Sequence, residues 1–330
     1  MTQPRKIRWL IAHQPQELFV RTAKAFSEEL SKYCGDELEI EILTYPDYVE
    51  KYHSIPGLEE LIQCPEDLDT FLNVGLKSFW NALFDSKVEM SQIQLVRVGD
   101  LNQDFLALDL PFLFEDHDHV QRVVEGPIGQ KLCKELGEKS GVTGLAFTYS
   151  GGYRVVGSHK PITTLDELTK MKIAVQNPLS LGTTIESMGG SFVSSAPNLW
   201  HKYDPMVTEG CDALETTYLR FNEVDGKHIL KTNHSMFMTT ILVSNKFWNT
   251  LTPFQQDAFK KAGQAAARKE RVWSIEDAAK FETTAKERGV TIVDITDAER
   301  KELKKKSQIS YVKSKYYFSE GLVKSIREQK

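Results

Sequence analysis

The residue types that most often carry chemistry are scattered along this chain. Of eight histidines only His117 and His119 lie close together, inside the acidic stretch Glu115-Asp116-His117-Asp118-His119. That spacing could hold a weak surface metal ion, but we read it as a solvated turn. Cys34, Cys64, Cys133 and Cys211 are widely spaced. Without a Cys-x-x-Cys pair they offer neither a zinc site nor a redox dithiol. They read as small buried hydrophobes, with a Cys34–Cys64 disulfide open only in an oxidising compartment. No Gly-x-x-x-x-Gly-Lys-Ser/Thr loop, Gly-x-Gly-x-x-Gly turn, His-Glu-x-x-His pair or Gly-x-Ser-x-Gly elbow occurs, so the usual phosphate, dinucleotide, zinc-protease and serine-hydrolase signatures are missing. We expect no catalytic residues, no cofactor and no metal, and a binding protein rather than an enzyme.

The bulk properties agree. With 330 residues, 41% hydrophobic and 26% charged, the chain can bury about two ordinary cores. Forty-one Lys and Arg against 46 Asp and Glu leave a charge of -5, which argues against nucleic acid as a partner because phosphate binding needs clustered cations. Lys301, Lys304, Lys305 and Lys306 alternate with Glu299 and Glu302 and read as a solvated helix face. The best apolar run, Phe105 to Phe114, contains Asp109 and falls short of the ~18 residues a membrane span needs. The polar start Met1–Lys6 fits either a cytosolic protein or an exported one whose leader has been removed.

The elements that must position any site follow from periodicity. Ile7–Ala12 reads as a strand. Phe19, Thr22, Ala23, Phe26, Leu30 and Tyr33 then mark one face of a helix closed by Gly35, and Leu38, Ile40 and Ile42 alternate as a second strand. This β-α-β opening predicts a parallel pair with a crossover helix. Tyr45–Pro65 reads as an inserted loop, Leu68–Phe84 as a helix, Val142–Tyr149 as a strand. After Gly151-Gly152 the pattern restarts: a capping box at Thr164–Glu167, a strand at Lys172–Val175, a helix at Leu199–Thr208 and a strong strand at Met236–Ser244. Thr252 and Pro253 open a segment reaching Gly289 without another proline. It is either one strut of about 50 Å across two lobes or two helices broken near Gly263 or Trp273.

Several runs then occur in a telling order: Gly151-Gly152-Tyr153-Arg154; Lys160 to Leu168; Met171-Lys172-Ile173-Ala174-Val175-Gln176-Asn177; Leu199 to Tyr203; Thr208 to Glu215; and Leu242 to Lys246. Together with Leu110-Pro111-Phe112 they resemble the solute-binding proteins of TRAP (tripartite ATP-independent periplasmic) transporters over most of the chain. The resemblance implies a periplasmic-binding-protein-like α/β fold of two lobes with a hinge and a long lobe-spanning helix. The expected division is 1–151 plus about 240–280 for lobe I, and 152–239 plus about 281–330 for lobe II. It implies a periplasmic receptor that closes on a small-molecule ligand, an organic acid or derivative, and delivers it to the TRAP membrane permease subunits. A monomer is expected.

One departure bears on the ligand. Where the family carries a carboxylate-binding arginine in the Lys-x-Arg-Val strand, this chain has Ala174, which has no guanidinium fork to offer. Either the ligand is not a simple carboxylate or another cation replaces the anchor. The resemblance points to Arg154 as the substitute, set against a hinge salt bridge as its plainer role. Gln176 and Asn177 could bond a polar ligand or merely turn the chain before Pro178. Glu215 could meet a cationic group or cap the interior. Trp200 and Tyr218 could wall a ligand or pack the core; Gln94, Tyr149 and Tyr153 complete the candidate lining. Two other readings stay open: a cytosolic small-molecule-binding regulator with no transport role, and an enzyme using the same cleft.

Overall fold

The computed structural model describes residues 4–13, 15–62, 70–176, 178–194, 211–222 and 226–329. Two sheets organise it. The first has the order β2-β1-β3-β10-β4 and the second β11-β9-β5-β8-β6-β7. In the first, β1 (Arg5–Leu10) runs parallel to β2 (Leu38–Leu43) and β3 (Met90–Gln94). β10 (Met236–Ser244) is antiparallel to both β3 and β4 (Val142–Tyr153). In the second, β6 (Lys172–Val175) runs parallel to β7 (Ser191–Ser194) and β8 (Ala213–Thr216). β5 (Val155–Ser158) is antiparallel to β8 and β9 (His228–Lys231), and β11 (Thr291–Asp294) pairs in parallel with β9. The chain crosses between sheets at Arg154, between β4 and β5, and again at 232–235, between β9 and β10. Among the described residues no helix is long and apolar enough to cross a membrane.

The β-α-β opening forms as the periodicity predicts. Helix Gln16–Cys34 buries Leu18, Phe19, Thr22, Ala23, Phe26 and Leu30 against the first sheet's core. The strut is one unbroken helix, Pro253–Thr284, started by a reciprocal Thr252–Gln255 capping box. At 32 residues it spans about 48 Å. Gly263 lies inside it because Leu145 leaves little room: an added Cβ would stand 3.1 Å from the leucine's own. Ala258, Phe259, Ala262 and Ala266 pack on the first sheet, whereas Phe281 joins Val155, Tyr218, Phe221 and Ile229 of the second. The helix therefore braces both lobes.

The strut has a second task. β4 is an edge strand, and the outward N–H and C=O groups of an edge need partners when covered. The helix supplies them in register: Gln264 donates to the Leu145 carbonyl (3.4 Å) and Arg271 to that of Phe147 (2.7 Å), while Glu270 accepts from the Tyr149 N–H (2.6 Å) and Ser274 from that of Gly151 (2.8 Å). Burial lifts the Glu270 carboxyl to about 8, against the opposing pull of the Tyr149 N–H and of Arg271. The unfolded chain ionises this group at an ordinary carboxylate pKa, so its stabilising contribution is fullest below that pKa and is lost as pH rises to about 8. Glu270→Gln keeps an acceptor for Tyr149 and should flatten the fall in melting temperature between pH 5 and pH 8. An unchanged slope would show that Glu270 does not set it. Thr252→Ala removes the helix cap and should cost about 1 kcal/mol in denaturant unfolding.

Local readings differ from the structure in three places. Tyr45–Tyr52 is a helix, opened by a Thr44–Asp47 capping box with Pro46 tolerated in the first turn; the proline read as a breaker sits where a helix accepts it. Gly151 and Gly152 do not end β4. Both adopt positive φ and carry the strand through a register shift opposite Phe237 and Met238, a bulge of the kind that bends an edge. His119 is not solvated: it is buried, takes the Glu115 N–H on Nδ1 (3.2 Å) and lies 2.8 Å through Nε2 from the Ile326 carbonyl. Cys34 is a free thiol; Cys64 and the expected helix Leu199–Thr208 lie outside the described residues.

Candidate ligand-binding cleft

In open α/β sheets a ligand sits outside the carboxyl ends of parallel strands. In the first lobe those ends are His13 after β1, and Gln94 with Arg97 after β3. In the second they are Gln176 after β6 and Thr217 after β8. The two sets meet. Arg97, buried on the short helix Leu95–Val98, donates through Nη2 to the Gln176 carbonyl at 3.1 Å. Burial depresses the Arg97 guanidinium to about 10 despite nearby Asp100, the mark of a cation held out of water. Sequence reasoning passed over Arg97 because its counterpart lies on the other sheet; the only local signal was a cation one turn beyond Gln94.

Arg154 stands at the first crossing. It is fully buried, and its Nη1 donates to both carboxylate oxygens of Glu215 (3.0 and 2.8 Å) on β8. Its guanidinium carbon lies 3.9 Å above the Phe237 ring, a cation–π contact. His234, at the second crossing, brings Nε2 to 3.3 Å from Glu215 Oε1, and its Nδ1 lies 2.8 Å from Thr232 Oγ1. The crossings are tied to each other by the Arg154 N–H on the Ser235 carbonyl (2.8 Å), and the second is tied to the segment after Asp109 by the Phe112 N–H on the His234 carbonyl (2.6 Å). Burial alone would raise the Glu215 carboxyl; the Arg154 charge and the His234 contact outweigh it and hold it below the ordinary range. Asp109 completes the cluster from the first lobe. It is buried, neither oxygen has a hydrogen-bond partner among the described residues, and burial lifts it to about 7 even with Arg154 pulling down. The charge inside the apolar run Phe105–Phe114 was its visible sign.

The remaining candidates fall in different places. Gln94 is buried at the end of β3, its Oε1 without a hydrogen-bond partner among the described residues. Ala174 is buried in β6 between Val193 and Leu214. Tyr149 and Tyr153 flank the His117 ring, centroids 5.6 and 5.1 Å away. Tyr218 stacks on Phe281 of the strut at 5.4 Å. Asn177 and Trp200 lie outside the described residues. One unforeseen aromatic, Phe237, lies beneath Arg154, and His13 stands edge-on to Phe237 at 5.9 Å. Among the described residues no group of three metal-binding side chains occurs.

Two parallel-ended sheets joined by two crossings, with a strut helix and charged groups where the sheets meet, invite comparison with known proteins. The profile of the bacterial extracellular solute-binding proteins, family 7, matches residues 76–317. The chain belongs to that family. Among curated relatives of this family 7 protein, the C4-dicarboxylate-binding periplasmic protein DctP of Rhodobacter capsulatus is 25% identical over 244 residues, 73% of this chain and 65% of the relative. The 2,3-diketo-L-gulonate-binding periplasmic protein YiaO of Escherichia coli is 28% identical over 200 residues, 59% of each. The matched stretch spans 65%, 59% and 57% of the length of the first three curated relatives. A TRAP periplasmic solute-binding protein of Haemophilus influenzae with bound L-gulonate shares the fold at TM-score 0.79 and 19% identity, covering 98% of this chain and 99% of that one. One of Shewanella oneidensis with bound succinate does so at TM-score 0.77 and 18% identity, covering 99% of each chain. The two-lobed α/β fold of the family 7 protein is thereby established, and the solute-binding family to which the motifs pointed is the one whose profile matches.

Proposed function

We propose that this family 7 protein is the extracytoplasmic receptor of a TRAP transporter, working in the periplasm, capturing a small organic acid by hinge closure and handing it unchanged to a membrane permease. The observation that carries the reading is the Arg97–Gln176 hydrogen bond, which brings the carboxyl ends of β3 and β6 together across the lobes. Relatives that bind C4-dicarboxylates or diketogulonate support an acid as the ligand class. Lobe I takes the first sheet with residues 1–151, β10 and most of the strut. Lobe II takes the second sheet with 152–235 and the strut's end, and the final helix Leu322–Glu328 returns to the first lobe, where Ile326 is buried in its core.

Residue roles follow from position. Arg97 supplies the cation that Ala174 cannot, approaching the strand-end region of β6 from the opposite lobe. Gln94 and Gln176 supply directional hydrogen bonds on either side; Asn177 and Trp200, outside the described residues, stay candidates by their place in the sequence alone. Arg154, held by Glu215, which His234 also contacts, couples the second lobe to both crossings; Tyr153 and Tyr218 support the surrounding walls. Contacts from both lobes stabilise the shut form only if the ligand touches both. The hydroxyl–imidazole pair Thr232–His234 is fully buried at the second crossing, which fits a ligand that leaves intact. A thermal-shift screen over C4-dicarboxylates, aldonates, uronates and their neutral amides, followed by calorimetry, tests it. Acids should stabilise and amides should not; stabilisation by neutral analogues alone would contradict it.

A further inference from the structure

The polarity of helix Gln308–Ser314 is inverted. An ordinary surface helix turns apolar residues inward and polar ones to water. Here Ser307, Ser310 and Ser314 face the interior at 0, 1 and 6% exposure, while Ile309 and Val312 of the helix and Tyr316 in the turn just beyond its end are 53, 66 and 85% exposed. The inner face is fully employed. Ser310 donates to the Thr183 carbonyl at 3.2 Å, Tyr311 to that of Pro111 at 2.6 Å, and Lys313 pairs with Glu186 at 3.0 Å. The serines let the helix lie close on the segment Thr183–Ser187, and the outward stripe contributes nothing to that packing. An apolar stripe held in water points to a surface it meets.

Its surroundings say which surface. From Asp297 to the end the chain carries ten Lys and Arg against five Asp and Glu, while the whole chain is -5. Lys304, Lys305 and Lys315 are exposed around the stripe, with the Lys315 ammonium 4.6 Å from the Tyr316 ring centre. A second copy would bring lysines against lysines, and three side chains fall well short of the ~800 Å² per partner that a standard protein interface buries. We propose that this face docks on an anionic phospholipid surface, Tyr316, Val312 and Ile309 entering the headgroup boundary and the lysines meeting phosphate groups. An exposed tyrosine beside basic residues suits that boundary, and each lysine near an anionic bilayer adds about fivefold in affinity. Such docking would hold the receptor at the membrane whatever acid fills its cleft, so it stands independently of the ligand.

The test is flotation of the full chain with vesicles of phosphatidylglycerol and phosphatidylcholine, mixed equally, against pure phosphatidylcholine. At 50 mM salt the protein should float with the anionic vesicles at least tenfold more than with neutral ones, and 300 mM salt should abolish this. The charge variant Lys305→Glu/Lys315→Glu and the stripe variant Ile309→Ser/Val312→Ser/Tyr316→Ser should each lose most of the binding while keeping the melting temperature of the parent. Failure to float at 50 mM salt, equal binding to neutral vesicles, or unaffected variants would overturn the proposal. So would binding confined to vesicles carrying the permease, which would name a protein partner instead. A large fall in melting temperature for the stripe variant would also overturn it, since it would show these residues buried within the molecule.

Discussion

Arg97→Ala should weaken binding of an acidic ligand about tenfold to a hundredfold, the worth of one charged hydrogen bond. Arg97 is buried where the strand ends of the two lobes meet and already reaches a lobe II carbonyl. Removing it deletes both the local positive charge and the link that favours closure, so two contributions disappear together. Arg97→Lys keeps a point charge without the planar fork and should recover only part of the loss. Calorimetry with the best acid from the screen reads this directly. Full affinity in Arg97→Ala would leave the cleft without its proposed anchor.

Arg154→Ala should act on stability rather than selectively on affinity. Glu215 is buried, and two of its contacts come from Arg154 Nη1. Breaking a buried pair from one side leaves an uncompensated charge and costs about 3–5 kcal/mol. Asp109 and His234 would not rescue it, the first being an acid and the second already placed against the same oxygen. Pairing Arg154→Met with Glu215→Gln should return more than half of the loss, because no charge is then stranded. Denaturant unfolding of the two variants decides the matter; a stable Arg154→Ala would mean that Glu215 finds water or another partner.

These two arginines also show how far the amino-acid order could be read. Caps and periodicity carried the strut, where Thr252, Pro253 and an alanine-rich run all say helix, and they carried Gln16–Cys34 through its three- and four-residue apolar spacing. Both signals are local. Arg154 stood out by its motif, but its partners Glu215, His234 and Phe237 come from other strands and crossings. Arg97 carried almost no local sign, because its meaning depends on β3 and β6 ending opposite each other. The helix at Tyr45–Tyr52 was missed for a different reason: Pro46 was weighed as a breaker while the Thr44–Asp47 box announced a start. His119 looked solvated beside three acids, yet the last helix covers it.

Hinge closure on an organic acid is tested most directly by small-angle X-ray scattering of the full chain with and without a saturating acid from the screen. The radius of gyration should fall on adding the acid, stay unchanged with its neutral amide, and respond only at proportionately higher acid concentration in Arg97→Ala. An acid that binds tightly by calorimetry while the scattering curve stays the same would contradict closure of the two lobes.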